Sequence, residues 1–101
     1  GLVDNVPRVL PENTLARLDA TTWTLPPVLR FLAEAGGVPV HDMSRTFNCG
    51  IGMVLVCAPQ DAERLCGVLR QHGETVSIIG RIETSEGEAG CVVDNAERQW
   101  R

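Results

Sequence analysis

Residues 50–57 read Gly-Ile-Gly-Met-Val-Leu-Val-Cys, and this strongly apolar stretch is the starting point for predicting the fold. Apolar side chains at both alternating positions predict a strand that is covered on its two faces. Pro59, Asp61 and Glu63 follow soon after, and proline with acidic residues in a first turn is typical of a helix start. The sequence therefore predicts a strand and then a helix over residues 60–72.

The rest of the chain shows further helical and strand patterns. Residues 1–7 carry a short helical stripe that ends at Pro7, and residues 28–35 have the spacing of an amphipathic helix that Gly36-Gly37 closes. One more helical turn is predicted for residues 41–45. Strands are predicted for Thr14–Asp19, for residues 75–82 and for Gly90–Asp94, the last two as a hairpin around a turn at Glu86-Gly87.

This order of elements predicts an α+β fold, with a small mixed or antiparallel sheet and helices packed on it. We expect the strands that start at Gly52 and Val76 to be neighbours in one sheet. We expect the helix over residues 60–72 to pack on that sheet through Leu65 and Leu69, which lie on its apolar stripe.

Length and charge limit the classes of function. A chain of 101 residues predicts a single domain over residues 1–101, and the polar residues 95–101 predict a loosely held tail. The net charge is −4 and the nine basic residues are scattered, which argues against nucleic-acid binding. No leader peptide is visible and no apolar run approaches the ~20 residues of a membrane span, so we expect a cytoplasmic protein.

The four cysteines, Cys49, Cys57, Cys66 and Cys91, form no Cys-x-x-Cys pair, so no metal site is predicted and reduced thiols are expected. The sequence also contains no nucleophile elbow, no phosphate-binding Walker loop and no His-Glu-x-x-His helix. The identity of any catalytic residue is therefore unknown from the sequence.

The first candidate binding stretch is Gly-Leu-Val-Asp-Asn-Val-Pro-Arg-Val-Leu-Pro over residues 1–11. A glycine at the entrance of a helix lets backbone N–H groups approach an anion, and Arg8 can hold a phosphate with two parallel hydrogen bonds. A capped helix followed by an exposed arginine explains the same residues without any ligand.

The second candidate is Thr-Phe-Asn-Cys-Gly-Ile-Gly over residues 46–52, directly before the apolar stretch. Gly50 and Gly52 permit a tight backbone that a ligand can approach, and Asn48 offers both a donor and an acceptor. A simple turn before a strand is the alternative interpretation, with the glycines making room for packing.

Taken together, the two stretches resemble a known family. Residues 1–11 resemble the GGLxENxPRxLP stretch of aminoimidazole ribonucleotide synthetases, with Asp4 where that family usually has Glu. Residues 45–56 resemble the family's RTFNxGxGM and the strand after it. Trp23 to Gly37 resembles W-x-x-P-x-x-F-x-W-L-x-x-x-G, and Ile78-Ile79-Gly80 resembles W-x-I-G. The resemblance covers roughly residues 1–94 with every motif in order.

The resemblance implies that this chain is the C-terminal domain of an ATP-dependent cyclo-ligase of purine synthesis. In that family ATP and Mg²⁺ activate the amide oxygen of formylglycinamidine ribonucleotide, and an internal nitrogen then closes the imidazole ring. The N-terminal domain, absent from this chain, is understood to carry most of the ATP-binding machinery. The full-length family enzyme is typically a homodimer.

By motif position, the resemblance assigns substrate binding to residues of both stretches. These are Gly1, Asn5 and Arg8 in the first stretch and Thr46, Asn48, Gly50 and Gly52 in the second. No metal ligand is assigned to this chain, and no bound cofactor is expected on it alone. The chain alone is predicted to be inactive.

Two other classes of function compete with this interpretation. One is a domain of a related ATP-using enzyme, such as formylglycinamidine synthase, selenophosphate synthetase or a hydrogenase-maturation protein. The joint presence of the motifs at residues 4–11 and 45–52 argues against that class. The other is a non-catalytic ligand-sensing module, which an intact ATP-binding half in the parent protein would argue against.

Overall fold

The strand predicted for Thr14–Asp19 is confirmed and lies at the centre of a mixed sheet in the computed structural model, which describes all 101 residues. This strand, β1, pairs antiparallel with β2 (Gly80–Thr84) and parallel with β3 (Gly90–Asp94). Helices surround the sheet, so the predicted α+β class is confirmed. The helices are α1 (Leu2–Asn5), α2 (Pro27–Gly36), α3 (Val40–Thr46), α4 (Ala62–Gln71) and α5 (Ala96–Trp100), with 3₁₀ turns at Val6–Val9, Ala20–Thr22 and Pro59–Asp61.

The predicted hairpin between residues 75–82 and Gly90–Asp94 is wrong, because both β2 and β3 pair with β1 and not with each other. Charges on the polar side of the sheet show why β1 takes the middle position. The Arg17 guanidinium donates to Glu83 on β2 at 3.0 Å and to Asp94 on β3 at 3.2 Å. The central cation is thus matched by an acid on each neighbouring strand.

The predicted strand at residues 50–57 is also wrong. Residues 51–58 lie outside every helix and strand, and Ile51 is the only one of them whose backbone N–H is bonded, to the carbonyl oxygen of Asn48. The expected neighbour at Val76 is missing as well, since β2 begins only at Gly80. Apolar composition predicts a covered strand, but a strand forms only where another backbone pairs with it, and composition does not identify that partner.

The helix after this segment begins close to its predicted position, with a 3₁₀ turn at Pro59–Asp61 leading into α4. The predicted packing of this helix on the sheet is not seen. Cys66 is its buried residue, whereas Leu65 and Leu69 are half-buried and belong to neither of the two core clusters. Without the strand at residues 50–57, the sheet does not extend to this helix.

Helix α2 begins after Pro26 and ends at Gly37, whose φ of 62° is the left-handed conformation expected of a C-terminal glycine. Its Leu29 and Ala33 pack against the core, whereas Phe31 is 65% exposed. Only part of its apolar stripe is therefore used within this chain. Helix α3 confirms the helical turn predicted at residues 41–45.

The core consists of two adjoining clusters. Trp23 and Val93 pack against both of them and thereby join them. One cluster holds Ala20, Leu25, Met43, Cys49 and Trp100, and the other holds Leu2, Val6, Ala16 and Leu18. No helix of the structure is both long enough and apolar enough to cross a bilayer.

The C-terminal residues differ from the loose tail expected of them. They form α5, and its Trp100 is only 4% exposed. The Trp100 ring meets the ring of Trp23 edge to face, with 5.8 Å between the centroids and 66° between the planes. Trp100 thus helps to hold a largely polar segment on the core, because aromatic pairs in this geometry stabilise contacts beyond their buried area.

Two carboxyl groups make the fold sensitive to acid. The hydrogen bond from Arg17 lowers the pKa of Glu83, and the backbone N–H of Thr21, followed by the Asn95 side chain, lowers the pKa of Asp19. A carboxyl group with a lowered pKa in the folded state stabilises the fold above its unfolded pKa. That contribution is lost as the pH falls through the folded value.

We therefore expect the free energy of unfolding of this chain to fall as the pH drops below about 4, near the ordinary carboxyl pKa. Urea unfolding followed by tryptophan fluorescence, at pH values from about 7 down to about 3, measures this. Glu83→Gln should be less stable at neutral pH and less sensitive to acid. Stability that rises towards the acidic end would contradict the assignment.

Candidate functional site

The structure brings the two candidate stretches together at their ends. The backbone N–H of Leu2 donates to the carbonyl oxygen of Phe47 at 3.1 Å. A Cβ added to Gly1 would overlap the carbonyl group of Arg45 and lie 2.7 Å from the backbone nitrogen of Thr46. The start of the first stretch and the start of the second therefore form one continuous backbone surface, although about 45 residues separate them.

The first stretch forms α1 and the 3₁₀ turn Val6–Val9. The Asn5 side-chain amide donates to the carbonyl oxygen of Gly1 at 2.6 Å, within the same helical turn. Arg8 is exposed, and it makes no hydrogen bond and no ion pair with any part of this chain. Its guanidinium is therefore free to bind an external anion.

The second stretch makes a tight turn at the end of α3. The Asn48 carboxamide oxygen accepts from the backbone N–H of Gly50 at 2.8 Å, and Ile51 N–H donates to the Asn48 carbonyl oxygen at 3.0 Å. Cys49 and Gly50 both have positive φ, 55° and 93°. Thr46 and Asn48 are exposed, and the Asn48 amide N–H₂ has no partner in the chain. This donor therefore remains available to a ligand.

The two glycines of this turn have different surroundings. A Cβ on Gly50 would lie 2.6 Å from Cδ of Pro26, so Gly50 is required for close packing as well as for its backbone angle. A Cβ on Gly52 would meet nothing within 4 Å. Packing inside this chain therefore explains Gly50 and leaves Gly52 unexplained.

Trp23 contacts the turn and was not among the residues assigned to the site from the sequence. Its indole N–H donates to the carbonyl oxygen of Cys49 at 3.0 Å. The sequence signal that could have identified it is the tryptophan in the stretch from Trp23 to Gly37, which lies between the two binding motifs. The Cys49 thiol itself is no candidate nucleophile, because burial raises its pKa to about 11.

A cleft of about 220 Å³ lies elsewhere, lined mainly by residues 21–25 with Arg30 and Trp100. It contains none of the seven predicted site residues. The chain also has no cluster of three or more His, Cys, Asp or Glu side chains that could hold a metal ion. The two candidate stretches therefore present exposed backbone, neutral polar groups, the carboxylate of Asp4 and two arginines without a partner, Arg8 and Arg45, a composition suited to binding.

Comparison with known proteins shows the family. The family described as AIR synthase related protein, C-terminal domain, matches residues 1–92, and the chain belongs to it. The chain is 50% identical over 88 residues to the phosphoribosylformylglycinamidine cyclo-ligase of Neisseria meningitidis serogroup B, covering 87% of this chain and 26% of that protein.

Two further relatives carry related names. The cyclo-ligase of the same name from Chromobacterium violaceum is 49% identical over 87 residues, covering 86% of this chain and 25% of that protein. The bifunctional purine biosynthetic protein PUR2,5 of Pichia angusta is 42% identical over 97 residues, covering 96% of this chain and 12% of that protein. The chain thus spans between 12% and 26% of the length of these relatives. The family expected from the resemblance of the motifs is confirmed.

Proposed function

We propose that this chain forms one wall of the substrate cleft in a phosphoribosylformylglycinamidine cyclo-ligase. The full-length enzyme would use ATP to close formylglycinamidine ribonucleotide into aminoimidazole ribonucleotide during purine synthesis. The observation that carries the proposal is the hydrogen bond from Leu2 to Phe47. It joins the two motifs into one surface in a chain of this family.

The free groups at this surface suit a ribonucleotide. Its phosphate is a dianion, and Arg8 is an exposed guanidinium without a partner, which is the side chain best shaped for phosphate. The Asn48 amide N–H₂ can donate to a carbonyl or hydroxyl oxygen of the substrate, and Gly52 leaves the backbone open. Because ring closure is intramolecular, holding the substrate in its folded conformation supplies much of the catalysis.

The ATP and Mg²⁺ of the reaction do not fit the residues of this chain, which offers no carboxylate cluster and no Walker loop. We therefore assign both to the N-terminal domain of the full-length enzyme. The same proposal includes a homodimer and a cytoplasmic location for that enzyme. Size-exclusion chromatography and fractionation of cells test these two points.

The apolar segment of residues 51–58 supports an intramolecular partner. Met53 is 81% exposed, Leu55 is 51% exposed, and no backbone N–H from residue 52 to residue 57 is bonded. A strand elsewhere in the full-length protein would satisfy both the apolar side chains and the backbone groups. We assign that strand to the part of the parent protein that lies outside this chain, since this chain matches only 26% of the length of its Neisseria relative.

The proposal predicts that Arg8→Gln lowers kcat/KM for the ribonucleotide in the full-length enzyme by about 10- to 100-fold, the loss expected for a hydrogen bond to a charged group. The melting temperature should not change, because Arg8 has no partner in the chain. Arg64→Gln, on helix α4 outside both motifs, is the control for removing an exposed arginine, and it also removes a surface ion pair with Asp61. Wild-type kinetics in Arg8→Gln would exclude Arg8 from the site.

We also expect the 101-residue chain alone to show no ATP-dependent ring closure. It presents one side of the substrate and holds neither triphosphate nor metal ligands, so the reactants cannot be positioned together. The measurement is production of aminoimidazole ribonucleotide by the pure chain, with the full-length enzyme as the positive control. Turnover by the isolated chain would contradict the proposed division of labour between domains.

A further inference from the structure

We infer that Trp100 in the C-terminal helix is a positioning residue for the turn at residues 48–51, and that it acts through Trp23. The inference rests on the proposed function of that turn in binding the substrate. It concerns α5, a segment that lies beyond the residues matched by the family.

The first link is the contact between the two indole rings. Trp100 packs edge to face on Trp23, with the centroids 5.8 Å apart, and both rings belong to the core region around Met43 and Cys49. Trp100 is 4% exposed, and its own indole N–H has no partner, so it is retained on the core by packing alone. Its effect on the protein is therefore an effect of shape on its neighbours.

The second link is the hydrogen bond from the Trp23 indole N–H to the Cys49 carbonyl oxygen at 3.0 Å. That carbonyl is in the middle of the turn, at a residue with a φ of 55°, followed by Gly50 with a φ of 93°. Non-glycine residues rarely adopt this conformation in free chains, and the conformation persists only where surrounding contacts hold it. The Trp23 ring supplies one such contact, and Trp100 fixes the orientation of that ring.

The third link is the attachment of α5 at both ends. At its start, the Asn95 amide donates to the Asp19 carboxylate at 3.0 Å. At its end, the Arg30 guanidinium donates to the carbonyl oxygens of Gln99 at 3.1 Å and of Arg101 at 3.2 Å. A helix of five residues has little stability by itself. These contacts hold it so that the Trp100 ring has one defined place.

The test uses the full-length enzyme with Trp23→Phe, Trp100→Ala and Trp100→Phe. Two readouts are taken well below the melting temperature. They are the KM values for the ribonucleotide and for ATP, and the hydrogen–deuterium exchange of the peptide that contains residues 46–52. Cys66→Ala is the control, because it removes part of a buried side chain on α4 that belongs to neither core cluster.

We expect Trp23→Phe and Trp100→Ala to raise the KM for the ribonucleotide by about three- to tenfold, as expected when one neutral hydrogen bond is lost, and to speed exchange in the peptide. The KM for ATP should stay the same. Trp100→Phe should keep the ribonucleotide KM and the exchange rate close to the wild-type values, since it keeps a ring against Trp23. Cys66→Ala should lower the melting temperature and leave the ribonucleotide KM unchanged.

Unchanged exchange and unchanged KM in both Trp23→Phe and Trp100→Ala would overturn the inference, as would an equal rise in KM in Cys66→Ala. If Trp100→Ala does not fold, Trp100→Leu takes its place, because it removes the ring that meets Trp23 and keeps a large apolar side chain. The exchange readout does not depend on turnover. A wild-type enzyme without ring closure would therefore refute the proposed function, while exchange would still decide whether the two tryptophans hold the turn.

Discussion

Gly50→Ala is expected to destabilise the chain by about 2–4 kcal/mol, the sum of backbone strain and overpacking at one position. Gly50 has a φ of 93°, a conformation that an alanine adopts only with strain. The new Cβ would also lie 2.6 Å from Cδ and 2.7 Å from Cγ of Pro26. The proline ring is rigid, so it cannot turn aside, and the turn or the start of α2 must move.

Two matched glycines separate these causes. Gly37 has a φ of 62°, and a Cβ there would have no neighbour within 4 Å. Gly37→Ala therefore adds backbone strain alone and should lower the free energy of unfolding by about 1 kcal/mol. Gly52→Ala meets neither problem and should leave stability unchanged. Urea unfolding followed by fluorescence of Trp23 and Trp100 measures all three. A Gly50→Ala variant as stable as Gly52→Ala would show that the turn is not held as described.

The same variants in the full-length enzyme test the binding surface. If the substrate approaches the backbone at Gly52, Gly52→Ala should reduce kcat/KM for the ribonucleotide while the melting temperature stays at the wild-type value. A loss of activity in Gly50→Ala alone would not be informative, because its structural cost is already large. Gly52 is thus the sharper probe of the two.

Gly80→Ala is expected to destabilise the chain by about 3 kcal/mol by separating two strands of the sheet. Gly80 lies opposite Leu18 in the register of β1 and β2. A Cβ at this position would overlap the carbonyl oxygen of Arg17 and lie 2.8 Å from Cα of Leu18. Both are backbone atoms of the central strand, so relief requires β2 to move away from β1.

Gly90→Ala is the control on the other side of β1. Its Cβ would lie 3.2 Å from a methyl group of Leu15, which can rotate, so a change of less than about 1 kcal/mol is expected. The measurement is the same unfolding experiment, with circular dichroism to follow the sheet. Equal stability of Gly80→Ala and Gly90→Ala would mean that β2 is not packed on β1 as the structure has it.

The sequence predicted the elements that carry local signals. Pro27, Gly37 and the period of apolar residues fix α2, and Pro59 with Asp61 fixes the start of α4. The strand at Thr14–Asp19 was also predicted, and it forms β1. It did not predict that β1 would be central, because this depends on the pairing of Arg17 with acids far along the chain. Pairing partners of strands are non-local, so periodicity does not contain them.

Only the site residues that lie within the two motifs were predicted from the sequence. The resemblance of residues 1–11 and 45–56 gave seven candidate residues, and the structure joins the two stretches at Gly1 and Thr46. No local sequence pattern predicted that Trp23 would donate to Cys49 or that Trp100 would be buried. Trp100 stands in a polar heptapeptide, and one aromatic residue without a periodic neighbour carries no information about where it packs.

The bare segment at residues 51–58 also has a consequence for how this domain is handled and inherited. An extended apolar ribbon with unpaired backbone groups is a template for β-aggregation, and charged gatekeeper side chains are missing between Ile51 and Ala58. At the concentrations used for purification, copies of the isolated chain should therefore associate with one another. Under the proposed function, a strand elsewhere in the full-length enzyme covers this ribbon, and a gene fusion that separated the two would leave the ribbon open to association.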